Sequence, residues 1–235
     1  LIAMTIKTNA QIPNSGFETW TNYGSYMEAN GWSSANMASA GAFYPLTRST
    51  DHYPASVGSY SIRLENNPAL LPNYEAMGVL WGNDMTDLQP GPAFPISGHP
   101  NTLTGYYKWS PQNGDTMYIQ VILYDAGNAV ASGAFTTTIA SSGWSSFNFP
   151  VTTYVSADSA TIILAAYNSD GPYNIPYGNS VLFVDNLNFD NLITSVPDLA
   201  SQTTSFNLYP NPAADIATLN IENSSKEDMI LNIYD

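Results

Sequence analysis

Thr116-Met117-Tyr118-Ile119-Gln120-Val121-Ile122-Leu123-Tyr124-Asp125 is an unbroken run of strand-forming residues. It stops at Ala126-Gly127-Asn128, and Ala129–Thr138 answers it with a second run. β-Branched and aromatic side chains suit a pleated surface, and a short Gly/Asn turn folds two such runs into a hairpin. The same grammar extends in both directions. Upstream, Ser59–Leu64 alternates, with Tyr60, Ile62 and Leu64 on one face and Ser61 and Arg63 on the other. Downstream, Trp144–Phe149 alternates again. Thr161–Tyr167 is almost continuously apolar, the pattern of a strand buried on both sides or at the centre of a sandwich. Ser180–Phe189 is the last strong strand of the body. Clusters of Gly, Pro and Asn separate these runs, and no convincing amphipathic helix interrupts them. Gln89–Pro100 reads as a long loop. The expected fold is all-β: an antiparallel β-sandwich of jelly-roll type over residues 11–190.

Composition agrees with that class and narrows the function. The chain has 235 residues, of which 44% are hydrophobic and 13% aromatic. Only 10% are charged, far below the ~25% of an ordinary soluble domain. Five Lys+Arg against nineteen Asp+Glu give a net charge of −14. A phosphate backbone needs clustered cations, so nucleic acid is not a partner. An anionic membrane surface is disfavoured for the same reason. No cysteine is present, which removes disulfides, zinc-thiolate sites and a Cys nucleophile. The only histidines are His52 and His99, too few for a histidine-built metal site. No window is long and apolar enough for a transmembrane helix. This is the composition of an extracellular all-β protein.

The ends read differently from the body. Leu1–Ala10 is apolar at first and ends in Thr8-Asn9-Ala10, as the tail of a secretory signal peptide would. Residues 191–206 form a polar linker rich in Ser and Thr. Residues 207–235 are expected to be an incomplete small β-sandwich. One strand is expected around Ala217, Leu219 and Ile221, and another around Met229, Leu231 and Ile233.

Asp185 is the first residue that suggests chemistry. Strict alternation places it on one face with Val181, Phe183, Leu187 and Phe189. A carboxylate in an apolar face needs a cation or several donors. With so few basic residues in the chain, a metal or backbone N–H groups would fill that role. Calcium suits carboxylate and carbonyl oxygens. Equally, Asp185 could cap the strand end near solvent, and the pattern alone leaves both open.

Asn14-Ser15-Gly16-Phe17-Glu18 and Val184-Asp185-Asn186-Leu187 together resemble the first and last strands of calcium-stapled jelly-roll carbohydrate-binding domains. More narrowly, Gly58–Leu64, Leu103–Trp109 and Asn113-Gly114-Asp115 resemble the "putative carbohydrate metabolism domain" family of secreted Bacteroidota proteins. The resemblance spans roughly 14–190. It implies a structural calcium held by Glu18 and Asp185, with help from backbone carbonyls. Phe206-Asn207-Leu208-Tyr209-Pro210-Asn211-Pro212-Ala213 resembles the start of the C-terminal sorting domain of the type IX secretion system. That implies export across the outer membrane, a secreted or surface-attached location, and the secretion machinery as a partner.

Sugar recognition places aromatic faces against apolar C–H patches and polar groups on hydroxyls. Ring candidates with polar or loop neighbours are Tyr23, Tyr26, Tyr44, Trp81, Trp109, Tyr173 and Tyr177, with Asn83 and Asp84 beside Trp81. Trp81 and Tyr173 are the first choices. Trp20, Trp32 and Trp144 are expected in the core. A glycan hydrolase needs a carboxylate pair, and Glu28, Glu65, Glu75, Asp84 and Asp87 are available for one. No Gly-x-Ser-x-Gly elbow or Gly-rich phosphate loop is present. The expected function is non-catalytic binding of a neutral or basic glycan. A surface adhesive module and a glycan-degrading enzyme are the alternatives.

Overall fold

The computed structural model describes residues 12–36, 41, 43–70, 76–80, 93–96, 99–167, 178–190, 205–209 and 218–222. The Thr116–Asp125 run forms β9, and its partner is β10 (Asn128–Thr137). Ala126 and Gly127 close this hairpin with φ of 49° and 82°. Two positive φ values in a two-residue turn match the right-handed twist of the flanking strands.

β9 and β10 belong to a six-stranded antiparallel sheet, five strands of which run in the order β10-β9-β12-β6-β3 while the sixth pairs with β12 off that path. Here β12 is Ser159–Tyr167, β6 is Ala76–Leu80 and β3 is Ser33–Ser34. The Gln89–Pro100 segment is more than a loop: β7 (Phe94–Pro95) pairs with Ser159 and Ala160 of β12. The second sheet has five strands ordered β11-β8-β13-β5-β4. These are β11 (Ser145–Pro150), β8 (Thr102–Ser110), β13 (Val181–Asp190), β5 (Ser61–Glu65) and β4 (Leu46–Ser49). A short hairpin of β1 (Trp20–Asn22) and β2 (Met27–Ala29) forms a two-stranded sheet of its own, with Ala29 reaching the shared core.

The two large sheets pack face to face around one core. The six-stranded sheet contributes Met117, Ile119, Val121, Leu123, Ile162 and Leu164. The five-stranded sheet contributes Ile62, Leu64, Leu103, Trp109, Leu182 and Val184. Burying side chains of this size contributes about 1.5–3 kcal/mol each, which offsets the ordering of the chain. β12 lies between β9 and β6, and even its outward Thr161 and Ala165 are buried. The continuous apolar run therefore reads correctly as a central strand. Trp32 is buried, as expected, and packs 5.1 Å from the ring of fully buried Phe17. Trp20 is half-buried against the core.

Asn113-Gly114-Asp115 is a turn device. Asn113 and Gly114 have φ of 53° and 86°, and the Asp115 N–H donates to the Gln112 carbonyl at 3.0 Å. Asp115 is then buried, accepting from the Ser180 hydroxyl at 2.7 Å and the Asn66 amide at 3.2 Å. It ties the start of β9 to the ends of two strands in the other sheet.

Residues 195–235 form a separate unit, within which β14 (Ser205–Tyr209) pairs antiparallel with β15 (Thr218–Glu222). Ser205 and Phe206, expected in the linker, are already in a strand. The strand expected around Met229 lies outside the described residues, as do the leader 1–10 and most of the linker. No helix among the described residues is long and apolar enough to cross a membrane.

Candidate functional site: a cation–aromatic ladder on the five-stranded sheet

Strict alternation fails in β13, and the failure shapes the site. Its register against β8 shifts between Asp185 and Asn188, where Asn186 has φ of 50°. A bulge inserts an extra residue and reverses the inward–outward phase beyond it. Leu182 and Val184 face the core before the bulge, and Leu187 and Phe189 face it after. Asp185 therefore does not share a face with Leu187 and Phe189, as alternation predicts. It lies with Val181 and Phe183 on the outer face of the sheet, although it is only 3% exposed.

That outer face carries a row of residues in register across the strands. Thr47 of β4 pairs with Arg63 of β5, Arg63 with Phe183 of β13, and Phe183 with Lys108 of β8. Both cations lie over the Phe183 ring, Lys108 Nζ at 5.1 Å and the Arg63 guanidinium at 5.8 Å from its centre. Trp144 continues the row, edge-on to Phe183 at 6.2 Å. Tyr53 stacks on Trp144 at 6.2 Å and meets Tyr106 at 4.6 Å. Trp144 was expected in the core, but the strand start at Ser145 turns it to the outer face, where its indole N–H finds an acceptor. Tyr53 is 38% exposed, so the ring row opens to solvent.

Asp51 organises the row. It accepts from Trp144 Nε1 at 2.8 Å through Oδ1 and pairs with Lys108 through Oδ2. Its backbone carbonyl accepts from the Ser61 hydroxyl at 2.6 Å. Partial burial pushes the Asp51 carboxyl up, but the Lys108 and Trp144 hydrogen bonds outweigh this and hold it below the ordinary range. Arg63 in turn pairs with Glu65 at 2.6 Å. Both ladder cations are thus neutralised within the protein. The face offers rings, amphipathic cation stems and polar rims, with no surplus positive charge.

The loop that carries Asp51 and Tyr53 is held by two carboxylates from opposite ends of the body. Glu18 accepts from the Ser59 N–H at 2.9 Å and the Tyr60 N–H at 3.0 Å. Asp185 accepts from the Tyr53 N–H at 2.8 Å and the Asn186 N–H at 2.7 Å. The first and last segments meet beside them, the Leu187 N–H donating to the Ser15 carbonyl at 2.9 Å. Burial pushes the Asp185 carboxyl up to about 6, and the nearby Glu18 charge adds to it; the backbone donors and His52 oppose both. Hard oxygen donors with no Lys or Arg bonded to them suit calcium. Among the described residues no cluster of three or more His, Cys, Asp or Glu could hold a metal. Backbone carbonyls and water would have to complete the shell.

The expected site residues fall unevenly. Trp109 is fully buried at 0% exposure, because its β8 position alternates with outward Lys108 and Ser110. It is a core residue, not a ligand contact, and its indole N–H has no hydrogen-bond partner. Trp81, Asn83, Asp84, Tyr173 and Tyr177 lie outside the described residues. Tyr23, Tyr26 and Tyr44 come together in a separate cluster. Of the acids considered for hydrolysis, Glu65 is paired with Arg63, and Glu28 is half-buried and accepts from the Asn36 amide at 3.1 Å. Tyr53, Tyr106, Trp144 and Phe183 were missed as a group. The cross-strand register that aligns them is not written in any one strand.

No protein-family model and no curated protein matches the chain. Among solved structures, a "putative glycoside hydrolase" from Bacteroides thetaiotaomicron is similar, with a TM-score of 0.58 at 15% identity over 77% of this chain and 70% of that one. A "putative glycoside hydrolase" from Bacteroides vulgatus is similar with a TM-score of 0.53 at 17% identity, covering 74% of this chain and 96% of that one. A carbohydrate-binding module specific for non-crystalline cellulose aligns more loosely, with a TM-score of 0.42 at 16% identity over 77% of this chain and 94% of that one. For the two Bacteroides structures the likeness establishes a shared fold and not a shared activity.

Proposed function

We propose that this protein is a secreted or surface-attached glycan-binding module that lays a neutral glycan across the outer face of its five-stranded sheet. The observation that carries this is the Tyr53–Trp144–Phe183 ring row, flanked by cations already paired with Asp51 and Glu65. Aromatic faces accept the C–H patches of a sugar ring, and the neighbouring carboxylates and amines take its hydroxyls. A net charge of −14 repels polyanions, and the ladder has no free cation to counter that. Titration with an array of neutral oligosaccharides, scored by calorimetry, tests the proposal. Trp144→Ala should weaken binding about tenfold, a loss of ~1.4 kcal/mol. Stacking is insensitive to salt, so affinity should hold at high ionic strength. Undiminished binding by Trp144→Ala would remove this face from consideration. Release of reducing ends on incubation would instead favour the hydrolase alternative.

Two further parts belong to the same proposal. Glu18 and Asp185 share a structural calcium that joins the first and last segments of the body. It is supported by the mutual proximity of two carboxylates, one of them buried. The unit at 195–235 is a secretion address, supported by its Leu208-Tyr209-Pro210-Asn211-Pro212-Ala213 sequence string.

A further inference from the structure

A second group of rings gathers on the β1–β2 hairpin and the entry to β4. Tyr23 and Tyr26 stack at 5.3 Å with an interplanar angle of 18°. Tyr44 meets Tyr26 at 5.7 Å. The hairpin is held rigid by the Tyr23 N–H donating to the Tyr26 carbonyl at 2.9 Å, and by the Gly24 N–H donating to Asn22 Oδ1 at 2.7 Å. Beside these rings is an open cavity of about 240 Å³, lined by Tyr26, Met27, Tyr44, Leu46, Thr47 and Arg48. That is below the ~300 Å³ at which pockets begin to hold drug-sized ligands, so it suits one sugar unit and not a chain.

Arg48 lines this cavity. It is exposed, and its guanidinium sits 4.2 Å from the centre of the Tyr60 ring. Among the described residues it has no carboxylate within ion-pair distance, whereas Arg63 and Lys108 each have one. It is thus the one described Arg or Lys left to meet a ligand anion. A guanidinium stacked on a ring is oriented, and its fork matches a carboxylate bidentately. Glu28, on the same hairpin, lies near Tyr26, and burial raises its carboxyl above the ordinary range, which lessens its repulsion of a bound carboxylate.

We infer that this cavity binds a sugar bearing a single carboxylate, a terminal uronic acid residue. The pyranose lies against Tyr26 and Tyr44, and the carboxylate meets Arg48. The choice of a sugar rests on the function proposed above; the site and its anion preference rest on this cavity alone.

The test uses the full chain with methyl glucuronoside and methyl glucoside as probes, followed by NMR chemical-shift titration. The uronoside should bind at least tenfold more tightly than the uncharged glucoside. That preference should shrink with added salt, since it depends on one ion pair. Arg48→Gln should abolish the preference, and Arg48→Lys should keep part of it. Trp144→Ala should leave uronoside binding intact while weakening the neutral oligosaccharide about tenfold, so the two sites fail separately. Arg48 is exposed, and an unchanged melting temperature would show that its variants fold. If they do not, the salt dependence in wild type decides. Equal affinity for the two glycosides, or a preference indifferent to salt, would overturn the inference.

Discussion

Gly58→Ala tests whether the carboxylate clasp builds the ladder. Gly58 has φ of 77°, and a Cβ there would sit 2.2 Å from Glu18 Oε1 and 2.8 Å from its Cδ. Two costs follow. Alanine in the left-handed region loses roughly 1–2 kcal/mol relative to glycine. The Glu18 carboxylate must also swing away, leaving the Ser59 and Tyr60 N–H groups. Charge-assisted bonds contribute about 1.5–3 kcal/mol each when buried, and less here because Glu18 is exposed. The expected destabilisation is about 2–4 kcal/mol, read from urea unfolding at constant m-value. In a Glu18→Ala background, where no side chain reaches the new Cβ, the same substitution should cost only the backbone part, about 1–2 kcal/mol. Because the loop carries Asp51 and Tyr53, Gly58→Ala should also weaken neutral-glycan binding. A cost below 1 kcal/mol in wild type, or identical costs in both backgrounds, would refute the clasp.

Other outcomes are open to measurement. Removing calcium with a chelator should lower the melting temperature, and Asp185→Ala should abolish that response; saturating calcium at a hundredfold excess over Kd stabilises by about 2.7 kcal/mol. In metal-free protein the raised Asp185 carboxyl favours the folded state most below its ordinary pKa of 3.8, and that contribution fades as pH rises through about 6. The difference is on the order of 3 kcal/mol and should be missing from Asp185→Asn when the two pH–stability curves are compared. Lys108→Met should free Asp51 to titrate nearer its ordinary range and lower neutral-glycan affinity, measurable by NMR titration and calorimetry together. Deleting residues 206–235 in a host with type IX secretion should leave the protein inside the outer membrane, whereas normal surface delivery would contradict the secretion address.

Strands were legible where one residue type repeated at one period. Thr116–Asp125 and Thr161–Tyr167 announce themselves, since buried strands need β-branched and apolar residues whatever their partners. Asp185 shows the limit. Its exceptional status was legible, but the bulge at Asn186 was not, because a reversal of phase looks the same as continued alternation when Val181 and Phe183 are apolar too. Trp109 and Trp144 exchanged their expected roles for a related reason. Both follow or precede polar neighbours, and only the register of β8 against β11 and β13 decides which faces inward. The ladder joins β4, β5, β8 and β13 with the residue ahead of β11, from separated parts of the chain, so no local window contains it.

β13 is the last strand of the body in sequence, yet it occupies the middle of its sheet, between β8 and β5. During synthesis, β8 and β5 must therefore wait with facing edges unpaired until residues 181–190 arrive. Phe183 and Asp185 arrive with them, and so do the centre of the ring row and the anchor for Tyr53. A chain halted before residue 181 has most of its apolar surface but no ladder. The face on which binding is proposed thus exists only in the finished body, and a nascent chain lacks it.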